Sequence, residues 1–568
     1  MRSHPVRRTL PDSIRVLTAA VVFTVLGTGP TAQTPGLPHP KFETIPPLPC
    51  GCPPAWQLIG NSNTFPLTQF LGTIDNKPLS LRVFNTRTMQ YAYASNATYH
   101  STNVLGGTDI NAIATGTIGA TLAGGGQDFF TGLDFPNVIS ADFGTIGGGS
   151  GHTLSGASGT IAGGALNAVS GPDAVVSGGR SNTAGGQAAA IGGGDNNFAN
   201  GFYACVSGGQ FNSSSAAHAT IGGGNFNLAS GAAATVAGGQ QGDAANDYAS
   251  VGGGFGNSAL GAHDTVSGGN QNSANGTAAT IGGGKTNAAS APYATVGGGE
   301  ANTAGQVGAT AAGGQSNNAS GQLSTVSGGF ANSASDAYAT VGGGLGNGVS
   351  GAQSTIAGGY QNDVSGLRAV IGGGELNTVS GNWGTIPGGK DNVAAGEHSF
   401  AAGLNARAMH QGAFVWADST SAALQSTAID QFSVRAAGGT RIFSNAGATT
   451  GVLLAPGAGT WSSASDRESK ENIEAVDGRV VLERLVEVPI ATWNYRSQDD
   501  AIRHMGPMAQ DFYAAFALGL GEKTIDTIDH GGVALAAIQG LNALVQEQAT
   551  RIAALEAKLS DLEQRGPR

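Results

Sequence analysis

The chain has 568 residues, 95 of them glycine, and a formal net charge of -11, which argues against nucleic acid or an anionic membrane as partner. Three cysteines cannot form a disulfide framework at this length, and no apolar run of about eighteen residues is present to span a bilayer as a helix. Charge is concentrated at one end: the last 104 residues hold 28 of the 63 charged residues, a composition break that marks a domain boundary at position 465.

At the start, Arg2, Arg7 and Arg8 precede an apolar run over 16–26, broken only by Thr18 and Thr24. That run is too short to span a membrane and has the flanks of a secretory signal, so 1–32 is expected to direct export and to place the mature chain at the cell surface or outside the cell. Residues 33–55 are proline-rich and read as an extended linker. Cys50 and Cys52 flank Gly51 there, either as a small-ring or interchain disulfide or as free thiols. Over 56–141, alternation at 56–61 and 70–83 predicts short strands that begin and cap a fibre.

Residues 142–403 repeat with a period of fifteen. An aliphatic residue recurs from Ile146 through Ile161 and Val176 to Ile386, and of the seventeen positions only Ala311 departs. Glycine stands two and three places after each, and asparagine six places after in all but His152 and Gly242. A fixed period combining one short strand, a glycine turn and an asparagine predicts a stacked β-solenoid, with the asparagines either in the left-handed region or in side-chain ladders. Strand alternation at 218–223 sends Ala219, Ile221 and Gly223 to one face and Thr220 to the other, so the aliphatic column is the core and the threonine column faces outward. One aliphatic residue per coil makes that core thin. At about 4.8 Å per coil the seventeen coils would form a rod of roughly 80 Å. The glycine triplets lack a Gly-Lys-Ser/Thr ending and the period lacks the calcium-site aspartate, so no cofactor, nucleotide or metal is expected. Over 404–464 the pattern decays into aromatic-containing strands at 414–418, 431–435 and 440–443, which read as a cap and stalk.

From 465 to 568 the reading becomes mixed α/β. It predicts a helix over 479–486, strands over 490–495 and 503–505, a helix over 510–516, and a final helix carrying a heptad. Ile538, Val545, Ile552 and Leu559 take one core position, and Leu541, Gln548, Leu555 and Leu562 the other. At the junction, Ser465 and Glu468 read as a capping box. The competing reading pairs Ser465 with Lys470 as nucleophile and base. Five residues turn a helix about 500°, so this pair could meet only if Ser465 sat in an entry turn with Lys470 folded back.

Four blocks in the tail, Ser465-Asp466-Arg467 with 470–473, then 489–495, 504–512 and 532–541, closely resemble the endosialidase-type intramolecular chaperone family in content and order. The family's usual arginine place before the lysine holds Glu468, with Arg467 one step earlier. The resemblance implies a domain that trimerises, helps an upstream β-fibre to fold and then cuts itself off. It makes Ser465 the nucleophile, Lys470 its base and Ala464–Ser465 the scissile bond, an autoproteolytic serine peptidase acting once on its own chain. The homotrimer comes from this resemblance alone, because β-branched residues with leucine in a heptad favour two strands. His504 is a candidate supporting residue, beside its reading as a structural histidine. The repeats resemble the β-roll heads of trimeric autotransporter adhesins, with the chaperone-like domain in place of the adhesins' membrane anchor.

Together these features describe an exported trimeric β-solenoid fibre, structural or adhesive, whose ligand would be a surface glycan or another host-surface group. The alternatives are a polysaccharide-binding or polysaccharide-degrading tailspike-like protein, which in its catalytic form needs paired carboxylates, and an ice- or surface-binding solenoid using the threonine column.

Overall fold

The computed structural model describes residues 70–127 and 134–566, so the expected signal segment, the linker with Cys50 and Cys52, and the strand expected at 56–61 lie outside the described residues. The chain divides into two compact units, Met1–Gly72 and Thr73–Arg568, and the solenoid and the domain after it belong to the second.

That unit opens with a hairpin. Leu79–Val83 pairs antiparallel with Thr86–Ser95 across a two-residue turn in which Phe84 and Asn85 both take positive φ (51° and 60°). Such turns carry the twist that joins adjacent strands. Thr86–Ser95 then pairs with His100–Gly106, which switches to parallel pairing with Thr121–Leu122 and so starts a stack.

The stack is a β-solenoid of about 22 turns. Each coil contributes two short strands and one isolated bridge. In one coil these are Thr220–Ile221, Asn225 and Leu228–Ala229, paired in parallel with Thr235–Val236, Gln240 and Asp243–Ala244 fifteen residues on. Backbone bonds run from coil to coil, as in Thr220 N–H to Ala234 O at 2.8 Å and Gly222 N–H to Val236 O at 2.9 Å.

Two expectations change here. The core is not a single column: a second buried column stands eight residues after the first, running Leu154, Val169, Ala184, Ala199 and on to Val379 and Ala394. Alanines two residues before the aliphatic position, such as Ala219 and Ala234, are buried as well. The second strand was missed because its inward residue is mostly alanine, which carries little apolar signal and sits equally well in a turn. The coil number also exceeds the seventeen set by the period. Rungs continue before it, at Leu105 and Leu122, and after it, at Phe400–Leu404, Phe414–Ala417 and Phe432–Arg435. Those coils differ in length, so they stack in register without sharing the fifteen-residue period.

The asparagines form a buried ladder. Asn182 donates from Nδ2 to Gly178 O and Gly194 O, both at 3.0 Å, while its Oδ1 accepts from Asn197 N–H at 3.0 Å. Burying a carboxamide is costly unless its polar atoms are paired, and here each asparagine satisfies that need through its neighbours. His152 takes the same place between Asn137 and Asn167, and its N–H donates to Asn137 Oδ1 at 3.1 Å. Its Nδ1 accepts from Asn167 N–H at 3.1 Å, and burial holds its pKa below the ordinary imidazole value. The left-handed conformation falls on the residue before the asparagine, such as Phe226 (φ 56°), and on the third residue before the aliphatic position, such as His218 (φ 59°). Gly224 shows why glycine holds the turn: φ is 91°, and a Cβ would collide with the Gly239 carbonyl.

The threonine column faces outward and is mostly half-buried, with Cys205 as one of its members, paired in register with Thr220. At the far end Phe400, Phe414 and Phe432 stack on successive rungs, with centroids 4.4 and 4.8 Å apart. Asp418 pins this end. It accepts from Ala437 N–H at 2.6 Å, from Thr420 N–H at 3.1 Å and from Arg435 Nε at 2.9 Å, and the bonds from Ala437, then Thr420, then Arg435 hold its carboxyl well below the usual range. A three-stranded antiparallel sheet comes next, built from Thr440–Phe443, Gly451–Leu454 and Ser462–Ser463.

After it come α1 (Gly478–Val486), the antiparallel pair Ile490–Trp493 and His504–Pro507, α2 (Ala509–Phe516) and α3 (Thr527–Gln564). The start of α1 lies against α3 at Gly478 and Gly540, where a Cβ on Gly540 would strike the Gly478 backbone. Arg479 and Glu547 bridge the two helices at 2.8 Å. No helix among the described residues is long and apolar enough to cross a membrane.

Candidate active site around Ser465

The junction is delivered by the three-stranded sheet. Its last strand ends at Ser463, and Ala464 N–H still donates to Gly451 O at 2.9 Å, so the bond before Ser465 leaves from an anchored edge. Beyond it the chain turns at once. Asp466 caps a single 3₁₀ turn, Arg467–Ser469, by accepting from Glu468 N–H at 3.1 Å, and Ser469 Oγ donates to Asp466 O at 2.8 Å. Lys470 N–H closes the turn on Arg467 O at 3.1 Å and leaves it extended, at φ -121° and ψ 146°.

The cap is therefore Asp466, and the expected capping box between Ser465 and Glu468 is not formed. A short aspartate side chain reaches the N–H two residues on and leaves the serine hydroxyl free for another partner. That partner is Lys470, whose Nζ lies 2.5 Å from Ser465 Oγ. One 3₁₀ turn, tighter than an α-turn, brings together two residues that a straight α-helix would hold apart. Both side chains are exposed in the single chain.

His504 stands elsewhere. Its Nε2 is 2.9 Å from Gln498 Oε1, and its ring packs on Trp493 at 4.8 Å and Tyr495 at 5.8 Å. Those contacts make it part of the aromatic cluster on the antiparallel pair, and neither Ser465 nor Lys470 is among its partners.

The elements after Ser465 run in the expected order; α1, the two strands and α2 lie within about two residues of their expected bounds, and α3 begins at Thr527, well before its first heptad residue Ile538. Residues 465–518 match the family model described as chaperone of endosialidase. No curated protein matches the chain. The match spans the 3₁₀ turn, α1, the antiparallel pair and α2, and α3 lies beyond it. Domains of the chaperone of endosialidase are associated with trimer formation, and one placed behind a β-solenoid fits a trimeric fibre with a C-terminal chaperone.

This chaperone domain leaves much apolar surface uncovered in one chain. Of its two heptad columns, Ile538 and Val545 are 61% and 53% exposed, and Leu555, Leu559 and Leu562 lie between 55% and 67%. An apolar cavity of about 240 Å³ opens between α1, α2 and α3, lined by Leu485, Phe512 and Val533 among others. Sequence reasoning identified Ser465 and Lys470 but not Asp466, the residue that sets the turn. The signal for it was an aspartate two places before Glu468.

Proposed function

We propose that the chain is an exported, homotrimeric β-solenoid fibre, structural or adhesive, whose chaperone domain assembles the trimer and then releases itself by cutting the Ala464–Ser465 bond. The observation that carries this reading is the contact of Lys470 Nζ with Ser465 Oγ at the junction of fibre and chaperone. Endosialidase-like tail and fibre proteins are extracellular, which agrees with the signal-like start of the sequence.

The chemistry is an acyl shift. A serine hydroxyl is a weak nucleophile until a base takes its proton. Lys470 takes the proton from Ser465 Oγ, which attacks the Ala464 carbonyl carbon through a five-membered ring. The C–N bond breaks as the nitrogen gains a proton, leaving Ala464 as an ester on Ser465. Water then opens the ester to an Ala464 carboxylate and a free hydroxyl on a new N-terminal Ser465. Only the neutral amine can act as base, and desolvation favours the neutral form of a lysine. The exposed pair is therefore expected to become active when neighbouring chains cover it, so cleavage comes after assembly.

Mass spectrometry of the purified protein tests this. Wild type should yield a product of 104 residues beginning at Ser465. Ser465→Ala and Lys470→Ala should give intact trimers. A trimeric wild type that stays whole would refute the cleavage.

A hydrolytic tailspike has less support. Where glutamates pair between coils, they face lysines, Glu300 with Lys285 at 2.9 Å and Glu375 with Lys390 at 3.0 Å, whereas glycoside hydrolysis asks for two carboxylates across a groove.

A further inference from the structure

One column of the solenoid carries a second, longer period. At the left-handed corner three residues before the aliphatic position, aromatic residues recur every 45 residues, or every third coil: Tyr203, Tyr248, Tyr293, Tyr338 and Trp383. All five take φ between 54° and 60°, and the four tyrosines are between 51% and 65% exposed. The next coil holds histidine after three of them, as His218, His263 and His398. The coil before holds alanine at the first three, as Ala188, Ala233 and Ala278.

The rings stack along the rod. Tyr203 and His218 are 5.4 Å apart with 12° between planes, and Tyr248 and His263 are 4.9 Å apart with 3° between planes. These distances are close to one coil spacing, so the rings lie across the rod axis with their faces directed along it. His218 and Tyr248 therefore face each other across the alanine coil of Ala233, two coil spacings or about 9.5 Å apart. His263 and Tyr293 face each other in the same way across Ala278. Each pair bounds a solvent-open slot one ring wide, and the slots repeat at about 14 Å.

In the fourth interval the chain fills this space itself. The Arg368 guanidinium lies 5.9 Å over the Trp383 ring, steered by its Nε bond to Gln353 Oε1 at 2.6 Å. The geometry points to the slots over Ala233 and Ala278 as sites that each take one pyranose ring of an uncharged polysaccharide.

Four features favour this occupant. A ring centred in the slot is one coil spacing, about 4.8 Å, from each flanking face. A puckered pyranose with C–H groups on both faces fits that spacing and can touch both rings. The slot lips carry groups for hydroxyls: at the first slot Asp247 accepts from Ala232 N–H at 3.0 Å and keeps its other oxygen free of that bond, and at the second Thr277 stands one place before Ala278, where the first slot has Ala232. Asp247 and a chain charge of -11 disfavour acidic sugars. Regular slots suit a repeating polymer, since two weak sites on one ligand add by effective concentration.

The inference rests on the fibre reading, in that the coils must be folded and this edge must face solvent. It is tested with the full chain by affinity electrophoresis in gels containing a soluble β-glucan, a mannan or a galactan, with hyaluronan as an acidic control. Retardation by at least one neutral polymer is expected, weakened at least ten-fold in Tyr248→Ala/Tyr293→Ala. Alanine already occupies this corner in other coils, so that variant should fold. The second variant, Ala233→Tyr/Ala278→Tyr, adds aromatic surface while closing the slots, and it should lose binding equally. Retardation unchanged or increased by slot closure, retardation by hyaluronan alone, or none by any neutral polymer would overturn the inference. Circular dichroism and sedimentation on the same samples report separately on the fibre.

Discussion

Replacing Asn302 by alanine tests what holds the coils together. The side chain is fully buried, donates from Nδ2 to Gly298 O at 2.8 Å and Gly314 O at 2.9 Å, and accepts from Asn317 N–H at 2.9 Å. Alanine removes all three bonds and leaves the N–H of Asn317, itself buried, without its acceptor. Two lost bonds at about 1 kcal/mol each and one orphaned donor at about 1–3 kcal/mol give a cost of about 3–5 kcal/mol. Because each coil touches only its neighbours, the loss should stay local. Hydrogen exchange read by mass spectrometry should show faster exchange in peptides covering 285–330, with little change beyond a few coils. The chain also supplies the inverse test. At position 242 the ladder is interrupted by glycine, so the N–H of Asn257 finds no carboxamide fifteen residues before it. Gly242→Asn should protect that region by about 1–3 kcal/mol, since the nearest atoms to its Cβ all belong to side chains, Asn227 Oδ1 and Val236 Cγ1 at 3.0 Å and Val251 Cγ1 at 3.5 Å, which can shift to admit it. Unchanged exchange in Asn302→Ala, or faster exchange in Gly242→Asn, would show that the ladder does not stabilise the stack.

Deleting 465–568 should give insoluble or monomeric repeats, and a soluble trimer in sedimentation without those residues would remove the chaperone role. Asp264 gives a pH test. It stands fully buried in the alanine column, and burial raises its pKa despite bonds from Ala279 and Gly261 N–H at 2.8 and 2.7 Å. Its folded pKa thus lies above the unfolded one, so its contribution is complete below the ordinary carboxylate range and is lost as pH rises through the raised value. Asp264→Asn, which cannot ionise, should therefore raise Tm more at pH 7 than at pH 3, and an equal change at both would refute the argument.

The sequence alone determined whatever depends on local periodicity. The fifteen-residue spacing identified the coil, and alternation placed Ile221 inward and Thr220 outward. The helices and strands after Ser465 were legible because their apolar spacing and lengths are local properties, and the dyad residues came from resemblance. Tertiary structure decided what depends on neighbouring coils. The second core column is mostly alanine, so only stacking reveals that Ala229 and Ala244 are interior. The asparagines could have taken either of two roles, and the choice of a ladder depends on acceptors fifteen residues away. Coils of other lengths escape a period search yet stack in register, because hydrogen bonding fixes the spacing between strands rather than the number of residues in a turn. At the junction, Ser465 and Lys470 meet because Asp466 takes the cap and closes a 3₁₀ turn, a choice among competing side chains that only the folded backbone makes.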